Sequence, residues 1–229
     1  MRRSELNRLI REAEAFIAEH RFLLPPWAHW TPQTWTTRPA LAAYCEAHQM
    51  GWDVTDFGSG EFDRRGLILF CLRNGIQGQA GERPYAEKLL IVREGQETPM
   101  HFHRVKMEDI IVRGGGTLIV QLQETDAAGQ LTQTQVTVEC DGERLTVAPF
   151  QAIRLEPGQS ITMHRGLAHR FYGEPGSGTV LVGEVSQVND DYTDNYFPEP
   201  VGRFAAIDED EPPYRLLWNE LTRQPPAGE

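Results

Sequence analysis

At 229 residues, 40% hydrophobic and 24% charged, the chain has the length and balance of a soluble globular protein with a sizeable core. Its 33 acidic residues outnumber 22 basic ones, and the net charge of −11 excludes a basic nucleic-acid-binding face. The apolar runs at 67–72 and 180–182 are far too short to span a bilayer, the charged start Met1-Arg2-Arg3-Ser4-Glu5 carries no signal-peptide pattern, and Cys45, Cys71 and Cys140 match neither zinc nor disulfide spacing, which fits a reducing cytoplasm.

The first element is a helix. Leu6, Leu9, Ile10, Ala13, Phe16 and Ile17 recur at three- and four-residue steps, Ser4 stands as its N-cap, and it ends near His20. Trp27, Trp30 and Trp35, interleaved with prolines, predict an irregular wrap packed on the core. A second helix is expected over 40–48, with Pro39 in its first turn and Gly51 just past its end. From about residue 52 the pattern turns to short strands, at 67–72, 88–93, 109–113, 117–122, 134–138, 144–147, 152–155, 160–163 and 179–185. Gly-rich turns punctuate them, as a sandwich or closed barrel requires. The acidic run Asp208-Glu209-Asp210-Glu211 precedes Leu216, Leu217, Trp218 and Leu221, which predict a short docking helix, and 224–229 read as disordered. The chain is thus expected to be one unit over 1–229, with a helical extension at 1–51, a β-barrel core at 52–190 and a C-terminal wrap and tail at 191–229.

Two segments carry metal-ligand chemistry. His101 and His103 are two apart and share one face of a strand, and after four intervening residues, room for a bend, Glu108 can face the same cavity. Two neutral imidazoles and a carboxylate suit a borderline divalent ion and leave positions open for substrate. In the second segment, 158–169, a strand, a turn at Arg165-Gly166 and another strand bring His169 inward. The first segment resembles the cupin pattern G-x5-H-x-H-x4-E-x6-G at every fixed position from Gly95 to Gly115. The second resembles the companion pattern G-x5-P-x-G-x2-H-x3-N, departing from it at His164 and Gly173. The resemblance implies a mainly β protein, a single cupin-type (jelly-roll) β-barrel with N-terminal helices and a short C-terminal helix. Its metal ligands would be His101, His103, Glu108 and His169. His164 is read as a loop residue, and His20, His29 and His48 as structural.

Further stretches narrow the family. Ser4-Glu5-Leu6-Asn7, Pro25-Pro26-Trp27-Ala28-His29-Trp30-Thr31-Pro32, Lys106, and Val185-Ser186-Gln187-Val188-Asn189-Asp190-Asp191 with Thr193-Asp194-Asn195 resemble bacterial D-lyxose isomerases. That resemblance implies an aldose–ketose isomerase interconverting D-lyxose with D-xylulose and D-mannose with D-fructose. It also implies Mn2+ as cofactor, other divalent metals being compatible with the donors, and a cytoplasmic homodimer acting on a free monosaccharide.

Glu184 is the leading candidate for the catalytic base. It follows the apolar run Val180-Leu181-Val182-Gly183, so its carboxylate either faces the cavity or stands on the barrel exterior. Lys106 shares strand parity with Glu108. It either points inward, to hold a sugar hydroxyl or stabilise a developing oxyanion, or is an exposed turn lysine. The Asx cluster forms either plain turns or sugar contacts. The family resemblance favours Asp191 and Asp194 as contacts, with Arg203 a further candidate. Two other functions use the same ligand set: a cupin dioxygenase, which needs redox-active iron and a more apolar pocket, and a non-catalytic sugar-binding cupin.

Overall fold

An unbroken apolar run such as 67–72 requires a strand buried on both faces, and that requirement organises the molecule. A computed structural model describes residues 1–223. Twelve strands are defined: β1 (Gly51–Thr55), β2 (Leu67–Arg73), β3 (Tyr85–Val92), β4 (Thr98–His101), β5 (Glu108–Gly115), β6 (Leu118–Gln123), β7 (Val136–Cys140), β8 (Glu143–Val147), β9 (Ala152–Leu155), β10 (Ser160–Met163), β11 (Ala168–Gly173) and β12 (Val180–Gln187). They form an eight-stranded sheet in the order β1-β2-β3-β12-β5-β10-β7-β8 and a four-stranded sheet in the order β4-β11-β6-β9. Every pairing within the two sheets is antiparallel.

Leu69, Leu90, Val112 and Val182 of the large sheet meet Val120 and Phe171 of the small one in a single apolar core. The expected barrel is therefore realised as two facing sheets of a jelly roll rather than one closed ladder. The chain crosses from β4 to β5 without pairing them: β4 is bonded to β11, and β5 to β12 and β10.

The other face of the large sheet is covered at β1, β2, β3 and β12 by a second apolar layer that includes helix α1 (Arg3–Glu19). Its Leu6, Leu9, Ile10, Ala13 and Ile17 pack with Ile68 and Phe70, the outward residues of β2. Both faces of 67–72 are thus buried. Ser4 is not the cap: the N-cap position is Arg2, and Ser4 lies in the first turn. The role passes to the C-terminal tail, where Asp210 accepts the Ser4 backbone N–H at 2.8 Å and the Ser4 hydroxyl at 2.7 Å. A carboxylate at a helix N-terminus is favoured by the orphan N–H groups there.

The tryptophan segment is more regular than expected. A 3-10 turn (Pro26–His29) leads to helix α2 (Pro32–Thr36), begun by Pro32 in its first turn and capped by Thr31 Oγ1. Trp35 packs edge-on against Trp27 and Trp30, beside helix α3 (Pro39–Ala47). The expected C-terminal docking helix is only a 3-10 turn (Trp218–Glu220), held by side-chain bonds rather than helix length. The expected disorder at 224–229 lies outside the described residues. Gly115 explains the last fixed position of the first motif. It has φ +81°, and a Cβ there would lie 2.1 Å from the carbonyl oxygen of Thr179.

Arg3 fastens the two ends of the chain together. It is buried, donates to both Glu220 oxygens at 2.5 and 3.2 Å, and donates from Nε to Glu209 at 2.7 Å. Arg3→Ala leaves the Glu220 carboxylate buried without its partner. The expected cost is about 3–5 kcal/mol, read as a lower urea midpoint; an unchanged midpoint would show that this clamp contributes nothing.

Candidate functional site

The core register of the large sheet continues directly into the site. Val180 and Val182 of β12, Leu90 and Val92 of β3, and Ile110 and Val112 of β5 face the core, and the next residues of the same parity are Glu184, Lys88 and Glu108. One end of the jelly-roll interior is thus charged where the rest is apolar. Glu184 stands opposite Lys88 on β3 and Ile110 on β5. His169 of β11 pairs directly with His101 of β4. A turn through Gly166, at φ +80°, delivers β11 into that position. His103 lies just beyond β4, in a stretch that Phe102 ties to Tyr196 by reciprocal backbone bonds of 3.0 Å.

The structure brings His101, His103 and His169 together, buried, with ligand nitrogens within 4.8 Å of one another. Each ring uses Nδ1 on a backbone carbonyl: His101 on Pro99 at 2.8 Å, His103 on Asp194 at 2.5 Å and His169 on Leu167 at 3.1 Å. A carbonyl oxygen only accepts, so each Nδ1 carries the proton, and Nε2 is the nitrogen left for a ligand. Burial pushes His101 and His103 well below the ordinary histidine range, which keeps them neutral.

Glu108 lies 3.0 Å from His169 Nε2 and 3.7 Å from His103 Nε2. Burial works against its charge, but Lys106 and then His103 outweigh that and hold its carboxyl well below the usual carboxylate range. His169 Nε2 is buried without a hydrogen-bond partner even though the Glu108 carboxylate is so close. A buried polar nitrogen left unpaired is costly. Three imidazole nitrogens and a carboxylate, one of those nitrogens orphaned, fit a divalent cation.

Lys106 Nζ contacts Glu108 Oε2 and Glu184 Oε1, each at 2.8 Å, and Asn189 Oδ1 at 3.2 Å. Burial opposes its charge, yet the two carboxylates drive its pKa above the ordinary lysine value. Two carboxylate contacts thus favour the charged form of Lys106. Glu184 faces inward; it also accepts from Ser186 at 3.0 Å and lies 3.3 Å from Lys88. Asp191 accepts from Asn189 at 3.0 Å and from Arg203 Nη2 at 2.7 Å. Arg203 and Lys88 overcome the effect of burial and hold its carboxyl below the usual range. Arg203 Nη2 also binds Asp53 at 2.7 Å, and Arg203 Nη1 is buried without a partner.

His101, His103, Lys106, Glu108, Glu184, Asp191 and Arg203 line one cavity. Phe57, Phe171 and Phe197 add aromatic surface to the lining, Phe197 with its ring centroid 5.7 Å from that of His101. Asp194 departs from its expected position as a sugar contact. Its carboxylate is occupied by the backbone N–H groups of Arg104, Val105 and Lys106. His164 is exposed at its turn, 3.5 Å from Glu124. His20 and His48 bond backbone carbonyls of Phe16 and Tyr44, and His29 bonds Glu14, all away from the cavity. Lys88 and Asp53 were not anticipated. Lys88 carries the same signal as Glu184, a charge bordering an apolar run, whereas Asp53 has none because its partner Arg203 is 150 residues away.

The family model for D-lyxose isomerase matches residues 1–221. The D-lyxose/D-mannose isomerase of Serratia proteamaculans is 47% identical over 227 residues, covering 97% of this chain and 99% of the relative. The D-lyxose/D-mannose isomerase of Escherichia coli O157:H7 is 46% identical over 223 residues, covering 96% and 98%. Among solved structures, the L-ribose isomerase of Cellulomonas parahominis with L-ribose superposes with a TM-score of 0.60 at 19% identity, covering 91% of this chain and 98% of that one. The L-ribose isomerase of Acinetobacter sp. DL28 with L-ribose does so at 0.61, with the same identity and coverage. These two share the fold.

Equilibrium dialysis against Mn2+ tests the donor set. His169→Ala is expected to lower metal affinity by about ten-fold or more; normal occupancy would remove His169 from the ligands.

Proposed function

The chain belongs to the D-lyxose isomerase family, and from that premise we propose that it is an aldose–ketose isomerase interconverting D-lyxose with D-xylulose and D-mannose with D-fructose in this cavity. One observation carries the assignment of the site: metal-type donors and a buried Lys106–Glu184 pair share a single pocket with aromatic side chains in its lining. His101, His103, Glu108 and His169 would hold a divalent cation. We assign Mn2+, because imidazole donors suit it better than the hard, oxygen-seeking Mg2+. When bound, the cation supplies Lewis acidity that polarises the sugar carbonyl.

The chain's own groups account for the remaining chemistry. Aldose–ketose exchange moves one hydrogen between C1 and C2 and one proton between their oxygens. Glu184 is assigned as the base that takes the proton from one carbon and returns it to the other. Lys106, held as a cation between Glu108 and Glu184, offsets the negative charge that develops on the sugar oxygen. Asp191 and Arg203 offer a carboxylate and an unpaired guanidinium N–H to the distal hydroxyls. Phe57, Phe171 and Phe197 exclude water and accommodate the C–H face of the sugar. Inward lysines and glutamates support a polyol substrate over the apolar pocket a cupin dioxygenase requires. We assign a homodimer in a reducing cytoplasm, consistent with three unpaired cysteines.

Glu184→Gln is expected to keep its metal and lose about two or more orders of magnitude in turnover. An unchanged rate would move the base role elsewhere. Chelation is expected to abolish ketose formation and Mn2+ to restore it better than Mg2+; full activity in excess chelator would refute metal dependence. A panel of aldoses assayed with Mn2+ is expected to yield ketose from D-lyxose and D-mannose. Saturable binding without turnover would instead identify a sugar-binding protein.

A further inference from the structure

We propose that Asp194 is a positioning residue: its carboxylate sets the backbone of loop 104–106 so that the Lys106 ammonium reaches Glu108 and Glu184 together. The inference rests on the active-site reading given above.

Three consecutive backbone N–H groups converge on this one side chain. Asp194 Oδ1 accepts from Arg104 at 2.8 Å and Val105 at 3.1 Å, and Oδ2 accepts from Lys106 at 3.0 Å. Successive N–H groups aimed at one anion form a fixed concave nest. The carboxylate is buried beneath the loop, whereas Val105 at its crest is exposed. The loop belongs to neither sheet; Arg165 Nε donates to Val105 O at 2.5 Å, and its flanks are held by Gly166 N to His103 O at 2.7 Å and by Met107, which exchanges bonds of 3.0 and 3.1 Å with Gln187. Yet from this loop Lys106 must send a buried side chain to carboxylates on two different strands, β5 and β12. The position of its Cα therefore bears on both of those 2.8 Å contacts at once.

Asp194 has a second, separable bond. Its backbone carbonyl, not its side chain, accepts from His103 Nδ1. Side-chain substitution therefore acts on Lys106 and leaves the histidine's orientation in place. Asp194→Asn presents an NH2 group to backbone N–H donors, a donor facing a donor, and disrupts part of the nest.

A double-mutant cycle with Lys106→Met distinguishes positioning from direct contact. D194N is expected to retain metal on dialysis, to speed amide hydrogen exchange in peptides spanning 104–106, and to lower kcat/KM by about 10–100-fold. In the K106M background the same change is expected to cost less than about three-fold. A loss that persists undiminished in K106M, chiefly in KM, would make Asp194 a sugar contact and overturn the proposal. Unchanged exchange in the loop, or unchanged kcat/KM, would overturn it too. If D194N does not fold, D194E carries the test, since it keeps the charge but shifts it by one methylene. It is expected to lower kcat/KM in the wild-type background and not in K106M, and equal losses in both would overturn the proposal. Hydrogen exchange and metal content need no turnover. A failed isomerase assignment would leave them intact and show instead as absence of ketose from the wild type.

Discussion

The ammonium of Lys106 lies 2.8 Å from carboxylate oxygens of both Glu108 and Glu184, and all three side chains are sealed from solvent. Charges buried in a protein interior lose their hydration, and only close mutual pairing offsets that loss. The arrangement therefore has little slack: removing Lys106 takes from Glu108 its lysine partner and leaves Glu184 with Lys88 alone. It also joins two halves of the pocket, since Glu108 belongs with the three histidines and Glu184 with Ser186, Lys88 and Asn189. One cation thus sets the spacing between the metal-type donors and the proposed base.

The fold supplies this spacing from a regular pattern. Strands β3, β5 and β12 lie side by side, and each places apolar side chains in the core and then, one repeat along, a charged one. The apolar layer around Leu90, Ile110 and Val182 is rigid because it is close-packed, and the charged residues inherit its register. The outer helical layer makes that rigidity possible. Helix α1 and the aromatic segment bury the second face of β2 and β3, and the acidic tail returns to cap and clamp α1. The segment 189–203 closes the pocket from the other side, through Asn189 on the two lysines, Asp191 on Arg203 and Asp194 on the loop.

Local chemistry was readable wherever it followed strand parity or a short spacing. Parity placed His101 and His103 on one face, and an acidic residue ending an apolar strand marked Glu184. The same signal marked Lys88, which went unread because a lysine at a strand start is ordinarily a solvated end. Asp194 is ambiguous in sequence for a different reason. An Asx cluster looks alike whether its oxygens face a ligand or a neighbouring backbone, and only the approach of loop 104–106 decides between them. Ser4 had the right chemistry for a cap, but the helix begins two residues earlier than the spacing indicated, and a carboxylate far along the chain binds the N–H and hydroxyl of Ser4.

By itself the sequence determined the two metal-ligand spacings, the amphipathic first helix, the succession of short strands and the resemblance that named the family. All of these depend on contacts between near neighbours or on period. Tertiary structure alone decided that the strands form two facing sheets rather than a closed ladder, that Arg203 is shared between Asp53 and Asp191, and that Lys106 bridges two strands. It also turned the Asp194 carboxylate to the backbone. Each of these joins residues far apart along the chain, and such pairs leave no periodic trace; their geometry exists only once the core has set the distance between the strands that carry them.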